Sequence, residues 1–107
     1  MKIVTTEELK KKIDAREKFY LIDVLAPESY ASLHVPTAVN VRKGPDFVER
    51  FAQEAGAQKD AEIIVYCSSP TCTASVQSGE QLEAAGYTNV AYYKDGLAGW
   101  FTIGQVQ

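Results

Sequence analysis

No segment of this sequence is apolar for long enough to cross a bilayer, and the N-terminal Met1-Lys2-Ile3-Val4-Thr5-Thr6-Glu7-Glu8 reaches acidic side chains before an apolar leader could form. The expectation is a soluble, cytoplasmic protein with no membrane partner. Basic charge is also scarce. Eleven lysines and arginines stand against 14 acidic residues, a net charge of −3, and the one basic cluster, Lys10 to Lys12, falls on a predicted helix surface. That balance argues against a nucleic-acid partner. Histidine occurs once and cysteine twice, at a spacing that supplies no plausible tetrahedral ligand set, so neither metal nor cofactor is expected. Low-complexity tracts, repeats and linker-like composition shifts are absent too, and residues 1–107 read as one domain with one core.

What is present is an alternation of short apolar runs with helical patterns. Thr5 and Glu8 form a capping-box signature, and Leu9 with Ile13 gives the following helix an apolar face to about Arg16. Phe19 to Val24 has the nearly continuous apolar character of a strand buried on both faces. Pro27 starts a short turn or helix, and Ala38 to Val41 is a short strand. Phe47, Val48, Phe51 and Ala55 then repeat at helical spacing up to Gly56. Glu62 to Tyr66 is the strongest strand, β-branched and apolar, and it runs directly into Cys67. Thr73 to Ala85 is helical with small residues at Ala74, Ser78 and Gly79, which predicts close packing on a sheet, and Gly86 is its stop. Asn89 to Tyr93 is a last strand, followed by an Asp95-Gly96 turn and a short helix from Leu97 to Phe101. Strands alternating with helices predict a parallel sheet with right-handed crossovers, covered on both faces. Ligands of such sheets bind beyond the carboxyl ends of the strands, the edge to which Ile63–Cys67 delivers a thiol.

The segment Cys67-Ser68-Ser69-Pro70-Thr71-Cys72-Thr73 joins that strand to the next helix. Short polar residues allow successive backbone N–H groups to turn toward the cysteine, and the positive end of the helix faces the same place. Both effects predict a thiol pKa depressed from its reference near roughly 8.5, and hence a nucleophilic thiolate at Cys67. Taken alone, Cys67 would read as a buried structural cysteine, since free cysteine is among the most buried residue types. The strand, loop and helix around it favour the reactive reading.

This arrangement resembles the active-site loop of the rhodanese family. Leu21-Ile22-Asp23-Val24 with Glu28, Tyr30, His34-Val35-Pro36, Ala38 and Asn40 is similar to the family's N-terminal motif, and Asp95-Gly96-Leu97-Ala98-Gly99-Trp100 to its Gly-Gly-Leu-x-x-Trp pattern. Together with Ala84-Ala85-Gly86-Tyr87 and Asn89-Val90, these matches run through nearly the whole chain. The resemblance implies a three-layer α/β/α fold around a central parallel five-stranded sheet. It also implies a sulfurtransferase in which Cys67 takes sulfane sulfur from a small donor, holds it as a persulfide and passes it to a thiol or similar nucleophile, on a small molecule or a partner protein. Asp23 then belongs to the architecture, His34 is a packed, hydrogen-bonded histidine and Trp100 a packing anchor.

The departures from the family pattern are specific. Ser68 replaces the first loop arginine, Pro70 a glycine, and Cys72 the last loop residue; Leu25 replaces an arginine, and Leu33 and Thr37 replace glycines. Without a loop cation, a dianionic donor such as thiosulfate loses a charge-assisted contact worth roughly 1.5–3 kcal/mol. Cys72 opens a second class of reading, a reductase-like or redox-sensing cycle in which it attacks the Cys67 persulfide, expels sulfide and leaves a disulfide, if the two Cα atoms lie within about 7 Å; a non-turnover persulfide carrier is the companion alternative. The bland alternative is a small helix-opening residue facing away from Cys67. A phosphatase or arsenate reductase would need an arginine closing a longer loop, where Thr73 stands instead.

Overall fold

The apolar runs too short for helices pair side by side as parallel strands in the computed structural model, which describes residues 1–69 and 71–101. These strands are β1 (Lys2–Val4), β2 (Tyr20–Asp23), β3 (Val39–Asn40), β4 (Ile63–Tyr66) and β5 (Val90–Tyr93). They form one sheet in the order β1-β5-β4-β2-β3, with every pairing parallel. Asp23 is level with Tyr66, and Tyr66 with Tyr93, so the carboxyl ends of the three middle strands finish in one row.

Four helices connect the strands among the described residues, α1 (Thr6–Asp14), α2 (Pro27–Ser32), α3 (Phe47–Glu54) and α4 (Ala74–Ala84), and a fifth, α5 (Gly96–Gly99), follows β5. The capping box at the start of α1 is complete. Thr5 accepts from the Glu8 N–H at 3.1 Å, and Glu8 accepts from the Thr5 N–H at 2.9 Å. Gly56 and Gly86 follow α3 and α4 with φ of 64° and 99°, the left-handed conformation their sequence positions predict. The expected close approach of α4 to the sheet centres on Gly79, where an added Cβ would press on the Met1 thioether and lie 3.5 Å from Val65.

The period of two along β4 divides the core. Ile63, Val65 and Cys67 face one layer with Phe47 and Phe51 of α3 and Ala74 and Leu82 of α4. Ile64 and Tyr66 face the other, with Leu9 of α1, Tyr93 and Trp100. Both faces of β4 are therefore covered, which accounts for its unbroken apolar sequence.

One strand escapes the sequence pattern. Lys2–Val4 is three residues long, too short to show alternation, and it abuts the capping box of α1. Its place at the sheet edge is set by pairing with β5, a long-range contact that no local pattern announces. Among the described residues, no helix is long and apolar enough to cross a membrane.

Candidate functional site

Cys67 is the first residue after β4, and it continues that strand's alternation onto the α3/α4 side. Its side chain is only 2% exposed. The thiol lies 3.5 Å from the hydroxyl oxygen of Ser75, in the first turn of α4, and 3.4 Å from the carbonyl oxygen of Cys72. The Ser75 backbone N–H also faces the sulfur. Ser75 is itself buried, and sequence reasoning missed it. The available signal was its place eight residues beyond Cys67, where the first turn of a helix packed behind a strand end returns to that end.

The loop reverses at a turn in which the Cys72 N–H donates to the Ser69 carbonyl at 3.1 Å, and the Ser69 and Thr71 hydroxyls lie 3.1 Å apart. This brings Cys72 back to Cys67, with both thiols free and the Cys72 side chain packed against the core cluster that holds Cys67. Cys72 does not face away. It is half-buried, and its sulfur receives the backbone N–H groups of Ala74 and Ser68. Ser68, Thr71 and Thr73 are exposed and Ser69 half-buried; the expectation for Pro70 lies outside the described residues.

The two sulfurs are electrostatically unequal, which corrects the expected depression of the Cys67 pKa. Burial pushes the Cys67 thiol above its ordinary range, and the neighbouring Cys72 sulfur reinforces the rise against the opposing Ser75 donors. Cys72 moves the opposite way. Burial acts against its ionisation, but hydrogen bonds from the Cys67 thiol and from the Ala74 and Ser68 backbones outweigh that effect and hold it low. The amides that the sequence suggested would turn toward Cys67 serve Cys72 in good part. The alternation of β4 carries Cys67 into the apolar layer, whereas Cys72, at the loop's return, stays where amides reach it.

The carbonyl side of the loop is gripped by α5. Leu97 donates its N–H to the Cys67 carbonyl at 3.1 Å, and Ala98 donates to the Ser68 carbonyl at 2.9 Å. Gly96, with φ 64°, lies so close that a Cβ there would overlap the Cys67 carbonyl oxygen, and would come within 2.9 Å of Ser69 N. Asp95-Gly96 is a turn, as its sequence indicates, but the glycine also answers to this contact.

Beside the loop, Asp23 accepts from the Leu25 N–H and the Tyr66 hydroxyl, both at 2.8 Å, while Tyr66 accepts from the Val35 N–H at 3.0 Å. Burial raises the Asp23 pKa, with those two donors opposing it. Asn40 donates its side-chain amide to the carbonyls of Asp23 at 3.0 Å and Leu25 at 2.9 Å, tying β3 to β2. His34 stacks on Tyr30 at 3.9 Å between centroids, with Nδ1 2.8 Å from the Tyr30 carbonyl oxygen. Trp100 is buried among the α1-side core residues. Asp23, Asn40, His34 and Trp100 brace the frame, and none of the contacts described for them reaches Cys67.

Residues 5–102 match the Rhodanese-like domain family. YtwF of Bacillus subtilis, named as a candidate sulfurtransferase, is 39% identical over 69 residues, covering 64% of this chain and 63% of that protein. The thiosulfate:glutathione sulfurtransferase of Saccharomyces cerevisiae is 30% identical over 96 residues, covering 78% of this chain and 66% of that one. The chain thus spans just under two thirds of each curated relative. A rhodanese-like domain from an Anabaena protein, solved by NMR, superposes with a TM-score of 0.82 at 28% identity, covering 97% of this chain and 76% of that one.

Proposed function

This chain belongs to the rhodanese-like domain family, a family of sulfurtransferases, and from that premise we propose that it holds sulfane sulfur as a persulfide on Cys67 and passes it to a thiol or similar nucleophile. The observation that carries the reading is the placement of Cys67 at the carboxyl end of the central strand β4, with the Ser75 hydroxyl 3.5 Å from its sulfur. In the first half-reaction the Cys67 thiolate attacks the outer sulfur of a donor, forming a sulfur–sulfur bond as the donor's remainder leaves with the electron pair of the bond that breaks. In the second, an acceptor thiolate attacks the terminal sulfur, and Cys67 departs as the thiolate.

Burial leaves Cys67 a thiol at rest, and its attack on a donor follows loss of that proton. Ser75, through its hydroxyl and backbone N–H, then supports the anion. Among the described residues no cation is a leading influence on Cys67, so small persulfides and polysulfides should load it better than dianionic thiosulfate. The acceptor is a low-molecular-weight thiol or a thiol on a partner protein.

The test is to incubate reduced protein separately with thiosulfate, glutathione persulfide and polysulfide, then to record intact mass. The expected result is a gain of about 32 Da, one sulfur atom, that a Cys67→Ser variant does not show. Failure of every donor to give that adduct, even with Cys72 substituted, would end this reading.

A further inference from the structure

The persulfide reading leaves Cys72 without a role, yet its surroundings are those of a nucleophile. The Ser69–Cys72 turn returns it to Cys67, whose sulfur lies 3.4 Å from the Cys72 carbonyl oxygen, and the Cys72 side chain packs against the core cluster that holds Cys67. From that position Cys72 can address the inner sulfur of a Cys67 persulfide, the atom whose attack joins the two cysteines. With no cation among the leading influences on Cys67 from the described residues, storage of a persulfide anion there competes with its discharge.

Resting on the persulfide reading, we propose that Cys72 is a second catalytic residue, which attacks Cys67 Sγ of the persulfide, forms a Cys67–Cys72 disulfide and expels the sulfane sulfur as hydrosulfide. One sulfur–sulfur bond forms and one breaks. The departing HS⁻ keeps the persulfide proton and takes the electron pair of the broken bond, so the sulfane sulfur is reduced while the two cysteines are oxidised to the disulfide. Two equivalents of a low-molecular-weight thiol, or one dithiol, then attack the disulfide through a mixed disulfide and restore both cysteines. Without an acceptor thiol, the protein would release sulfide once and stop oxidised. With thiols in excess it would turn over as a persulfide reductase.

The experiment loads the full chain and its Cys72→Ser and Cys67→Ser variants with glutathione persulfide, removes small molecules, and follows intact mass and free sulfide with time. For the unsubstituted protein, the expected course is a gain of about 32 Da that decays to a loss of about 2 Da with release of one sulfide per chain. Cys72→Ser should keep the adduct at least about tenfold longer and release no sulfide. Cys67→Ser should neither gain nor release. Equal adduct lifetimes with and without Cys72, or migration of the added sulfur to a Cys72-containing peptide, would overturn the resolving role and leave the persulfide reading intact. Absence of the adduct from Cys72→Ser would overturn both. Circular dichroism of the variants, and mild diamide oxidation of the unsubstituted chain, guard against misfolding; a folded chain that forms no intramolecular disulfide also overturns the proposal.

Discussion

The α-carbon of Gly96 lies against the carbonyl oxygen of Cys67, so close that no side chain fits between them, and the next residue, Leu97, hydrogen-bonds that same carbonyl at 3.1 Å. The last helix thereby holds the backbone that carries the thiol. Gly96→Ala would add both a steric overlap and a left-handed alanine at φ 64°. The expected loss is about 2–3 kcal/mol of stability, with reduced persulfide loading because the loop must shift. Chemical denaturation and mass-monitored loading of the same preparation measure the two effects.

Ser75→Ala removes the hydroxyl beside Cys67 Sγ while keeping the backbone N–H that faces it. A lost hydrogen bond to an anionic sulfur is worth about 1.5–3 kcal/mol, or roughly tenfold or more in the rate of loading. Thermal melting should change much less than the rate; an unchanged loading rate would remove Ser75 from the site.

The unequal thiols predict an order of alkylation. With Cys67 pushed up by burial and Cys72 held low by its donors, iodoacetamide near neutral pH should modify Cys72 first, and Cys67 should react appreciably only as pH rises. Cys67→Ala should shift the Cys72 profile upward, because the side-chain donor that favours its anion is lost. Peptide mapping against pH reads both changes.

Thr37 stands at φ 74°, exposed and β-branched, in a conformation that favours glycine. Thr37→Gly should raise stability by about 0.5–1 kcal/mol, the relief of left-handed strain exceeding the added chain entropy. Equilibrium urea unfolding is sufficient to detect it.

Asp23 predicts an acid-side signature. Its folded pKa lies above the ordinary carboxylate value of 3.8, chiefly through burial, so between those two values the native state binds more protons than the unfolded chain. Stability should therefore fall as pH rises through that window and level off above it. Asp23→Asn should flatten this limb of the stability–pH curve, and denaturation midpoints taken across the acid range provide the comparison.

Much of this frame is legible in the residues because it is written locally. The Thr5/Glu8 capping box, the β-branched run Ile63–Tyr66 and the stops at Gly56 and Gly86 each depend on neighbours in sequence, and each appears where its pattern puts it. The position of Cys67 at a strand end is legible for the same reason. Its acidity is not, because the sign depends on a contest between burial and amide donors that is decided by which layer the side chain enters. The pairing of β1 with β5, the hydroxyl of Ser75 behind the loop and the pressure on Gly96 likewise arise between segments far apart in the chain. Asp23 needed a partner by its burial, but only the folded chain identifies the Tyr66 hydroxyl in that role.

The grip of Leu97 and Ala98 on the loop carbonyls also makes the thiol-bearing backbone answerable to the last helix. Damage that loosens α5 should therefore disarm the centre from a distance, altering how Cys67 reacts without touching either sulfur.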